Sequence, residues 1–290
     1  MTEAQNPAST TIDSLSTVEV LRVINVADQS IASAVERELP NIAQAVDGIV
    51  TRLQNGGRLF YIGAGTSGRL GVLDASECPP TFNTPPDLVQ GLIAGGDQAL
   101  RHSIERAEDD PVQGKQDLAD RAFSGRDALV GIAASGRTPY VLGALAYAGS
   151  LGALTIGLSC TENSQLAQAS EIAITPVPGP EVITGSTRMR AGTATKLVLN
   201  MLSTAVMVRM GYVYGNLMVN VQPTNEKLKD RARRIISSIA DVSYDEASRL
   251  LAEAGSVRIA ILMQKLRLNR SEAESRLAAA KGRLRVALEI

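Results

Sequence analysis

Two short turns in this chain combine glycine with hydroxyl side chains directly after a run of apolar residues. Gly63-Ala-Gly-Thr-Ser-Gly68 follows Arg58-Leu-Phe-Tyr-Ile62, and Ala134-Ser-Gly-Arg-Thr-Pro139 follows Asp127-Ala-Leu-Val-Gly-Ile-Ala133. Glycine lets the backbone approach a ligand closely, helix-start N–H groups carry partial positive charge, and hydroxyls donate further hydrogen bonds. We therefore expect the two turns to hold an anion such as phosphate between them. The expected contacts are Thr66, Ser67, Gly68, Ser135, Gly136 and Thr138.

Each turn also has a purely structural interpretation. Ser67, Ser135 and Thr138 could cap their helices, since Ser and Thr are frequent N-caps. Arg69 and Arg137 could add positive charge to the site or form structural ion pairs. The first turn also satisfies the G-x-G-x-x-G dinucleotide fingerprint, but the acidic residue expected about 20 positions later is missing. The occurrence of two such turns favours anion binding over capping.

A third segment has the composition of a site loop. Pro178-Gly-Pro-Glu-Val-Ile-Thr-Gly-Ser-Thr-Arg-Met-Arg190 is rich in Gly and Thr and leads into a predicted helix from Ala191. The alternative is an exposed connection whose side chains contact only water. The residues alone leave both interpretations open.

The scarcity of some residue types excludes much chemistry. The chain contains one His, two Cys and no Trp. A Ser-His-Asp triad or a Cys-His dyad would have to use His102, and a zinc site would consume His102, Cys78 and Cys160 and still need a carboxylate. Catalysis therefore falls to carboxylates, hydroxyls, Lys, Arg or Tyr. Two isolated cysteines without C-x-x-C spacing predict a reducing cytosol and no disulfide framework.

The overall composition predicts a soluble globular protein that stays in the cytoplasm. The hydrophobic fraction is 44%, the charged fraction is 20% and the net charge is −1, so no global positive field attracts nucleic acid or a membrane. Residues 1–16 lack the cationic and apolar regions of a signal peptide. The uncharged stretch Thr138–Thr161 is interrupted by glycines and predicts a buried helix and strand rather than a bilayer span.

The elements that must position the two turns follow from the apolar pattern. Five strand candidates, most of them separated by helices, predict an α/β sandwich with a parallel sheet. They are Arg58–Ile62, Leu88–Ile93, Asp127–Ala133, Leu154–Leu158 and Ile172–Thr175. The predicted helices are Thr17–Arg52, divided in two by Pro40, then Arg69–Ala75 before a stop at Pro79-Pro80, and Tyr140–Gly149.

The C-terminal part differs in composition from the rest. Strand signals end after Met210, and Lys227–Ile290 predicts several short helices rich in Ala, Leu, Lys, Arg and Glu. Its excess of Lys and Arg is typical of a solvated surface more often than of a nucleic-acid face, because no aromatic residues or recognition motif accompany it. The predicted organisation is a helical segment over residues 1–56, a phosphate-binding domain over 57–222 and a helical domain over 223–290.

The motifs and their order resemble a known family. The two turns are similar to those of the SIS (sugar isomerase) phosphosugar-binding fold, and the string GAGTSGRLGVLDASECPPT at 63–81 is similar to that of the N-acetylmuramic acid 6-phosphate etherases, relatives of the glucokinase regulatory protein. Asn83 and Arg106 stand where this family leads us to expect small residues such as Gly. Further matches are Ile12–Thr17, Ala107–Asp109, Pro178–Thr187, Ala191–Thr193 and Asn225–Leu228, so the resemblance covers nearly the whole chain.

The resemblance implies a fold and a reaction. The fold is a three-layer SIS-type sandwich with a parallel five-stranded sheet, N-terminal helices and a small C-terminal helical domain, assembled as a homodimer. The reaction cleaves the D-lactyl ether at C3 of N-acetylmuramic acid 6-phosphate without metal or organic cofactor. An open-chain C1 aldehyde acidifies the proton on C2, lactate leaves by β-elimination, and water adds back at C3. The products are N-acetylglucosamine 6-phosphate and D-lactate.

The resemblance also implies roles for particular residues. Glu77 matches the proton donor to the lactyl oxygen, and Glu108 matches the second carboxylate, the base at C2. Glu181 and Ser186 are expected nearer the sugar. Without the resemblance, Glu77 would be a helix-end or surface residue, and Glu108 would belong to a solvated acidic run over 105–110.

Three other functions fit parts of the pattern. An aldose–ketose isomerase acting on a phosphosugar shares the fold and also removes a C2 proton, but it would release no lactate. A non-catalytic phosphosugar-sensing regulator would bind the ligand without turnover. A nicotinamide enzyme would bind NAD through the first turn.

Overall fold

The computed structural model describes residues 3–222 and 225–289. The helices are α1 (Thr17–Asp28), α2 (Ile31–Glu36), α3 (Leu39–Gln54), α4 (Gly65–Phe82), α5 (Pro111–Asp120), α6 (Pro139–Ser150), α7 (Gln165–Gln168), α8 (Arg190–Met210), α9 (Glu226–Ala240), α10 (Tyr244–Ala254), α11 (Val257–Leu266), α12 (Arg270–Ala279) and α13 (Leu284–Glu289). The strands are β1 (Leu59–Gly63), β2 (Val89–Ile93), β3 (Ala128–Ile132), β4 (Leu154–Leu158), β5 (Ile172–Ile174), β6 (Val213–Tyr214) and β7 (Leu217–Met218). Short 3-10 turns cover Pro7–Ser9, Ile12–Ser14, Gly96–Leu100 and Glu105–Asp109.

The chain forms two compact units, and the first, Met1–Ser76 with Pro86–Thr204, contains the large sheet. Its five strands run parallel in the order β2-β1-β3-β4-β5. Every residue of β1, β3 and β4 is buried, as expected of a parallel sheet covered on both faces. The predicted α/β class with a parallel five-stranded sheet is confirmed.

Helices cover the two faces of this sheet in separate layers. Phe60 and Ile62 of β1 pack on one face with α5 and α6. Tyr61, which points to the opposite face, lies against α4: a Cβ added at Gly71 would stand 3.0 Å from it. Helix α3 contacts β4 and β5. The result is a three-layer sandwich.

The strand order brings the two glycine-containing turns together. Gly63 at the end of β1 is in register with Ile132 at the end of β3, so the turns that follow leave the same sheet edge side by side. The chain then continues through α4 on one face and α6 on the other. A crevice opens at such a reversal of connection, which is where open α/β sheets bind ligands.

Helix α4 begins earlier and ends later than predicted. It starts inside the glycine-rich turn, and the predicted stop at Pro79-Pro80 is wrong, because the helix continues to Phe82. The Asn220 side chain donates to the Phe82 carbonyl at 2.6 Å, so a buried tertiary contact stabilises the last turn against the proline cost. Asn83, at a position where the family resemblance predicts a small residue, has φ +53, a region that Asn tolerates and Gly prefers.

The N-terminal helical segment is divided differently from the prediction. It forms three helices, α1, α2 and α3, rather than two. Pro40 does not separate them but lies in the first turn of α3, where a missing N–H costs no helical hydrogen bond.

The second unit, Glu77–Pro85 with Ala205–Ile290, is mostly helical. Helices α9 to α13 pack around an apolar cluster that includes Ile236, Ala260 and Leu262, which confirms the helical C-terminal region. The prediction that strands end after Met210 is wrong for four residues, since β6 and β7 pair as an antiparallel hairpin around Gly215-Asn216. The predicted domain boundaries at 56/57 and 222/223 stay predictions.

One described helix, α8, has the length and mean hydropathy of a membrane span. Its apolar window is 56% buried inside the protein, as in the core helix of a globular fold, so its composition is weak evidence for a membrane span. The uncharged stretch Thr138–Thr161 contains α6 and β4, as predicted.

Candidate active site

A cavity of about 530 Å³ lies in the first unit, where β1 and β3 end. Its polar lining includes Thr66 and Ser67 from the first turn and Ser135, Arg137 and Thr138 from the second. Thr187 contributes a further hydroxyl, and the carboxylates of the lining are Glu3, Glu108 and Asp109.

The first turn supplies the N-terminus of α4. Gly68 N–H donates to the Ala64 carbonyl at 3.2 Å, whereas the N–H groups before it in the first helical turn have no acceptor within the helix. Gly68 itself is buried and fixes the turn: a Cβ there would stand 2.6 Å from the Gly63 carbonyl oxygen and 2.7 Å from Ile93. The helix start, with half-buried Thr66 and Ser67, is therefore held tightly against β1.

The second turn is supported from behind by backbone hydrogen bonds. Gly136 N–H donates to the Ala133 carbonyl at 2.9 Å, and the buried Gly136 accepts from Leu166 N–H at 2.9 Å. Thr138 is the N-cap residue of α6, yet its side chain makes no capping hydrogen bond. Its hydroxyl is available to a ligand, so the capping interpretation does not hold for Thr138.

The N-terminus of α8 is already bound by a carboxylate of the protein itself. Glu181 is 1% exposed, and its two carboxylate oxygens accept from Arg190 N–H and Ala191 N–H at 2.9 Å each. This carboxylate stabilises the start of α8 through the helix dipole. Glu181 therefore lies beneath the loop and is not among the residues lining the cavity.

The loop over 178–190 meets the cavity on either side of Ser186. Gly185 and Thr187 line it, whereas Ser186 is half-buried beside them and accepts from Met189 N–H through its carbonyl at 3.2 Å. Gly185 and Thr187 of this segment therefore border the cavity, and its role as a site loop stays a prediction.

The acidic residues Glu108, Asp109 and Asp110 have two different environments. Asp110 caps α5 by accepting from Val112 and Gln113 N–H groups. Ala107 packs against the apolar cluster between the sheet and α6. This anchor turns Glu108 and Asp109 toward the cavity, where both are exposed to solvent. Glu108 therefore borders the cavity as well as the solvent.

Glu77 and Arg69 do not line this cavity. Glu77 is exposed on α4 and belongs to the second compact unit. Arg69 donates from Nε to the Leu100 carbonyl at 3.2 Å, a structural contact. Arg137, by contrast, lines the cavity and is exposed.

Other reactive groups lie apart from the cavity lining. Neither cysteine forms a disulfide, and both are buried. Burial raises the pKa of the Cys160 thiol to about 12, so that thiol stays protonated near neutral pH. Across residues 3–222 and 225–289, no group of three or more His, Cys, Asp or Glu side chains is arranged to hold a metal ion.

Sequence reasoning missed Glu3. It lies in a polar N-terminal segment without periodicity or a motif that would single it out, and only the folded chain brings it to the loop after Val182.

The cavity is lined by hydrogen-bond donors and by carboxylates. The open N-terminus of α4, the four hydroxyls of the two turns and Arg137 can donate hydrogen bonds and suit a phosphate, and the start of α6 at Pro139 adds the partial positive charge of its dipole. The carboxylates can accept hydrogen bonds or protons. The arrangement can therefore hold an anionic ligand by one end and carry out acid–base chemistry on the rest.

Comparisons with known proteins agree with this chemistry. A family model for the glucokinase regulatory protein N-terminal SIS domain matches residues 41–149. The chain is 53% identical over 291 residues to the N-acetylmuramic acid 6-phosphate etherase of Caldanaerobacter subterraneus subsp. tengcongensis, covering 100% of this chain and 95% of that protein. It is 57% identical over 263 residues to the Rhodopirellula baltica protein of the same name, covering 90% and 87%.

Among solved structures, a protein of Bacteroides fragilis assigned as a phosphosugar isomerase involved in capsule formation is similar in fold. The TM-score is 0.51 and the sequence identity 20%, over 68% of this chain and 94% of that one. A likeness at this identity concerns the fold alone.

Proposed function

The chain belongs to the N-acetylmuramic acid 6-phosphate etherase family, and we propose that the cavity at the ends of β1 and β3 is its active site. The protein is a carbon–oxygen lyase that acts on N-acetylmuramic acid 6-phosphate, in the recycling of cell-wall sugar. One observation carries the site assignment: the turns that begin α4 and α6 and the carboxylate of Glu108 line a single cavity.

The phosphate binds between the two turns. Thr66, Ser67, Ser135 and Thr138 donate hydroxyl hydrogen bonds, the first-turn N–H groups of α4 donate as well, and the dipoles of α4 and α6 add partial positive charge. Arg137 adds a full charge at the same end. Gly68 and Gly136 hold the two turns in place, and Glu181 positions the loop that carries Ser186 and Thr187 by fixing the start of α8.

Glu108 starts the chemistry as a base. With the sugar open, the C1 aldehyde makes the C2 proton acidic, and the Glu108 carboxylate removes it. The electron pair forms the C2=C3 double bond as the C3–O bond breaks, and Glu77 gives its proton to the departing oxygen, so that D-lactate leaves.

Water then completes the reaction. The Glu77 carboxylate, left ionised by the first step, takes a proton from water as the hydroxyl adds to C3 of the unsaturated aldehyde. Glu108 returns a proton to C2, which restores both carboxyl groups and gives N-acetylglucosamine 6-phosphate. All atoms come from the substrate and one water molecule, and the proposal invokes neither metal nor organic cofactor.

A homodimer completes the site. Glu77 is exposed and does not line the cavity of its own subunit. We propose that Glu77 of one subunit reaches the cavity of the other. Helix α1 supports a dimer, because it has no buried residue and leaves Val18, Leu21 and Val26 63%, 59% and 60% exposed. A 12-residue helix is marginal in water by itself, and α1 has no buried residue to stabilise it, so a partner surface would add the packing that it lacks.

The small-molecule phosphosugar is the only ligand that we assign to this site, and we place the reaction in the cytoplasm. The two buried cysteines, which form no disulfide, fit a reducing compartment. Neither a nucleic acid nor a membrane enters the proposal.

The direct test is an assay of purified protein with N-acetylmuramic acid 6-phosphate. We expect D-lactate and N-acetylglucosamine 6-phosphate in equal amounts. Glu77→Gln and Glu108→Gln should each abolish lactate release while phosphosugar still binds. Retained binding in a wild-type protein without turnover would identify a sensor, and formation of a ketose without lactate would identify an isomerase.

Mixing the two inactive variants tests whether Glu77 acts across the dimer. A heterodimer of Glu77→Gln and Glu108→Gln subunits has one site with both carboxylates if Glu77 comes from the partner, so random exchange of subunits should restore about a quarter of the activity. No recovery after verified subunit exchange would place both carboxylates in one chain.

A further inference from the structure

The N-terminal segment over residues 3–9 is attached to the active-site loop. Ser9 Oγ donates to the Val182 carbonyl at 2.7 Å, in a buried position, and Asn6 Nδ2 donates to the Pro180 carbonyl at 3.3 Å. Asn6 also caps the 3-10 turn Pro7–Ser9, because its Oδ1 accepts from Ala8 N–H at 3.0 Å. The first two contacts join residues that are far apart in sequence, and they attach the segment over residues 3–9 to the loop.

This attachment brings a carboxylate into the cavity. Glu3 lines it together with Gly185 and Thr187, and a Cβ added at Gly185 would stand 3.2 Å from Glu3 Oε2. Glu3 therefore lies against the loop, on a segment that carries no other part of the proposed chemistry.

A carboxylate in an anion-binding cavity needs an explanation, because it repels a phosphate. The phosphate end offers donors: hydroxyls, helix-start N–H groups and Arg137. A sugar also presents donors of its own, its hydroxyls and the N–H of its acetamido group, and these need acceptors. Glu108 is used as the base, which leaves Glu3 and Asp109 as carboxylates that the mechanism does not use. Of these two, Glu3 lies against Gly185 of the loop.

We propose that Glu3 is a further binding residue of this active site, which accepts hydrogen bonds from the sugar part of the ligand and not from its phosphate. This rests on the proposed function of the cavity. The N-terminal segment thereby becomes part of the specificity for an amino-sugar phosphate over a bare phosphate. Ser9 and Asn6 are positioning residues, since they act through Glu3.

The test compares two ligands that need no turnover, N-acetylglucosamine 6-phosphate and inorganic phosphate, by calorimetric titration of the full chain. Loss of a hydrogen bond to a charged acceptor should weaken phosphosugar binding about tenfold or more in Glu3→Ala. Inorganic phosphate should bind as well as in the wild type or better, because a negative charge is gone. Ser9→Ala should give a smaller change of the same kind, and Glu36→Gln, an exposed carboxylate on α2, should change neither affinity.

Two results would overturn the assignment. Equal phosphosugar affinity in Glu3→Ala and the wild type would mean that Glu3 makes no contact with the sugar. Parallel weakening of both ligands would mean that Glu3 supports the phosphate turns instead. Steady-state kinetics separate the failures: Glu3→Ala should raise KM for N-acetylmuramic acid 6-phosphate and leave kcat nearly unchanged, whereas a wild type without lactate release would contradict the proposed function but leave the binding test of Glu3 intact.

Discussion

At the scale of single residues, the site depends on which polar groups are left without an internal partner. Glu181 uses both oxygens at the start of α8, and Asp110 uses its carboxylate at the start of α5. Thr138 makes no capping hydrogen bond, and Glu108 is held at the cavity by the packing of Ala107. Polar residues that already have hydrogen-bond partners within the protein are therefore structural, and those without such partners can bind a ligand.

The hydroxyls of the second turn should control affinity for the phosphate. We expect Ser135→Ala and Thr138→Val each to weaken binding of N-acetylglucosamine 6-phosphate about tenfold to a hundredfold, the effect of one hydrogen bond to a charged group. The double variant should also lose binding of inorganic phosphate, which calorimetry would measure. Ser150→Ala is the matched control, because its hydroxyl bonds to the Tyr147 carbonyl at the far end of α6. Unchanged phosphate affinity in the double variant would remove these hydroxyls from the phosphate site.

The residues themselves indicated the phosphate turns, because hydroxyls and glycines after apolar runs have a direct physical use. They did not indicate Glu108, which without the family resemblance belongs to a charged run. Neither the residue pattern nor the family resemblance indicated Glu3, because its position depends on hydrogen bonds from Asn6 and Ser9 to a loop far away in sequence. Long-range contacts of single side chains leave no local pattern to read.

At the scale of elements, the close approach of α4 to β1 sets the geometry of the first turn. Gly68 leaves no room for a Cβ, because the Gly63 carbonyl oxygen lies 2.6 Å from where it would stand. A close backbone contact therefore fixes the start of α4, and a residue with a side chain at position 68 would disturb that contact.

Two glycine substitutions in helices should have opposite effects. Gly68→Ala should lower the free energy of unfolding by about 1 to 3 kcal/mol through overpacking, and displace the start of α4 enough to weaken phosphosugar binding. Gly149→Ala in α6 is the control, since nothing lies within 4 Å of the added Cβ, and it should be neutral or stabilising by up to about 1 kcal/mol. Urea unfolding curves of the two variants would measure the difference. Equal effects would mean that the space around Gly68 does not restrain α4.

A buried carboxylate joins the beginnings of β1 and β3. Asp127 is 2% exposed and accepts from the Arg58 side chain and from Arg58 and Ser124 N–H groups. Burial alone would raise its pKa, but the hydrogen bonds from Arg58 and Ser124 outweigh burial and hold the pKa of Asp127 below its ordinary value. The stabilisation from this carboxylate is therefore present above about pH 4 and is lost as the pH falls through the lowered pKa.

Replacement of Asp127 should have a pH-dependent cost. We expect Asp127→Asn to lower the free energy of unfolding by about 3 kcal/mol at pH 7, the effect of breaking a buried pair, and by clearly less at about pH 3. Asp120→Asn, at an exposed carboxylate on α5, should cost little at either pH. Denaturant unfolding at both pH values is the measurement, and a cost for Asp127→Asn that does not change with pH would contradict the stated role of its charge.

The elements show how far the chain could be predicted. The five strands lie within a residue or two of their predicted positions, because buried parallel strands are continuous apolar runs. Two predictions from proline were wrong. Pro40 lies in the first turn of α3 and does not separate two helices, and Pro79-Pro80 lie inside α4, whose last turn Asn220 stabilises. Tertiary contacts overrode a sound local rule in the second case.

At the scale of the whole molecule, the balanced charge and the anionic substrate are compatible. The net charge is −1, yet helix N-termini and hydroxyls can hold a phosphate without adding to the formal charge. The scarcity of His and Cys fits a reaction run by carboxylates. The family resemblance, which covered nearly the whole chain, is confirmed by relatives identical at more than half of the aligned positions.

The exposed face of α1 should belong to the dimer. Leu21→Asp places a charge on that face, so we expect the protein to shift from dimer to monomer in sedimentation equilibrium and to lose lactate release with it. Val112→Asp is the control, because Val112 is also exposed, at 71%, but lies on α5. A variant Leu21→Asp that remains dimeric would separate α1 from the interface.

The most direct test of the whole account is the isotope content of the products formed in deuterated water enriched in heavy oxygen. The acid proton of Glu108 exchanges with solvent before it returns, because Glu108 is exposed. Elimination followed by hydration should therefore place solvent deuterium at C2 and solvent oxygen at C3 of N-acetylglucosamine 6-phosphate, while D-lactate keeps the ether oxygen unlabelled. Mass spectrometry and proton NMR of the two products measure both atoms. A product without deuterium at C2, or a lactate that carries solvent oxygen in its hydroxyl, would contradict the mechanism.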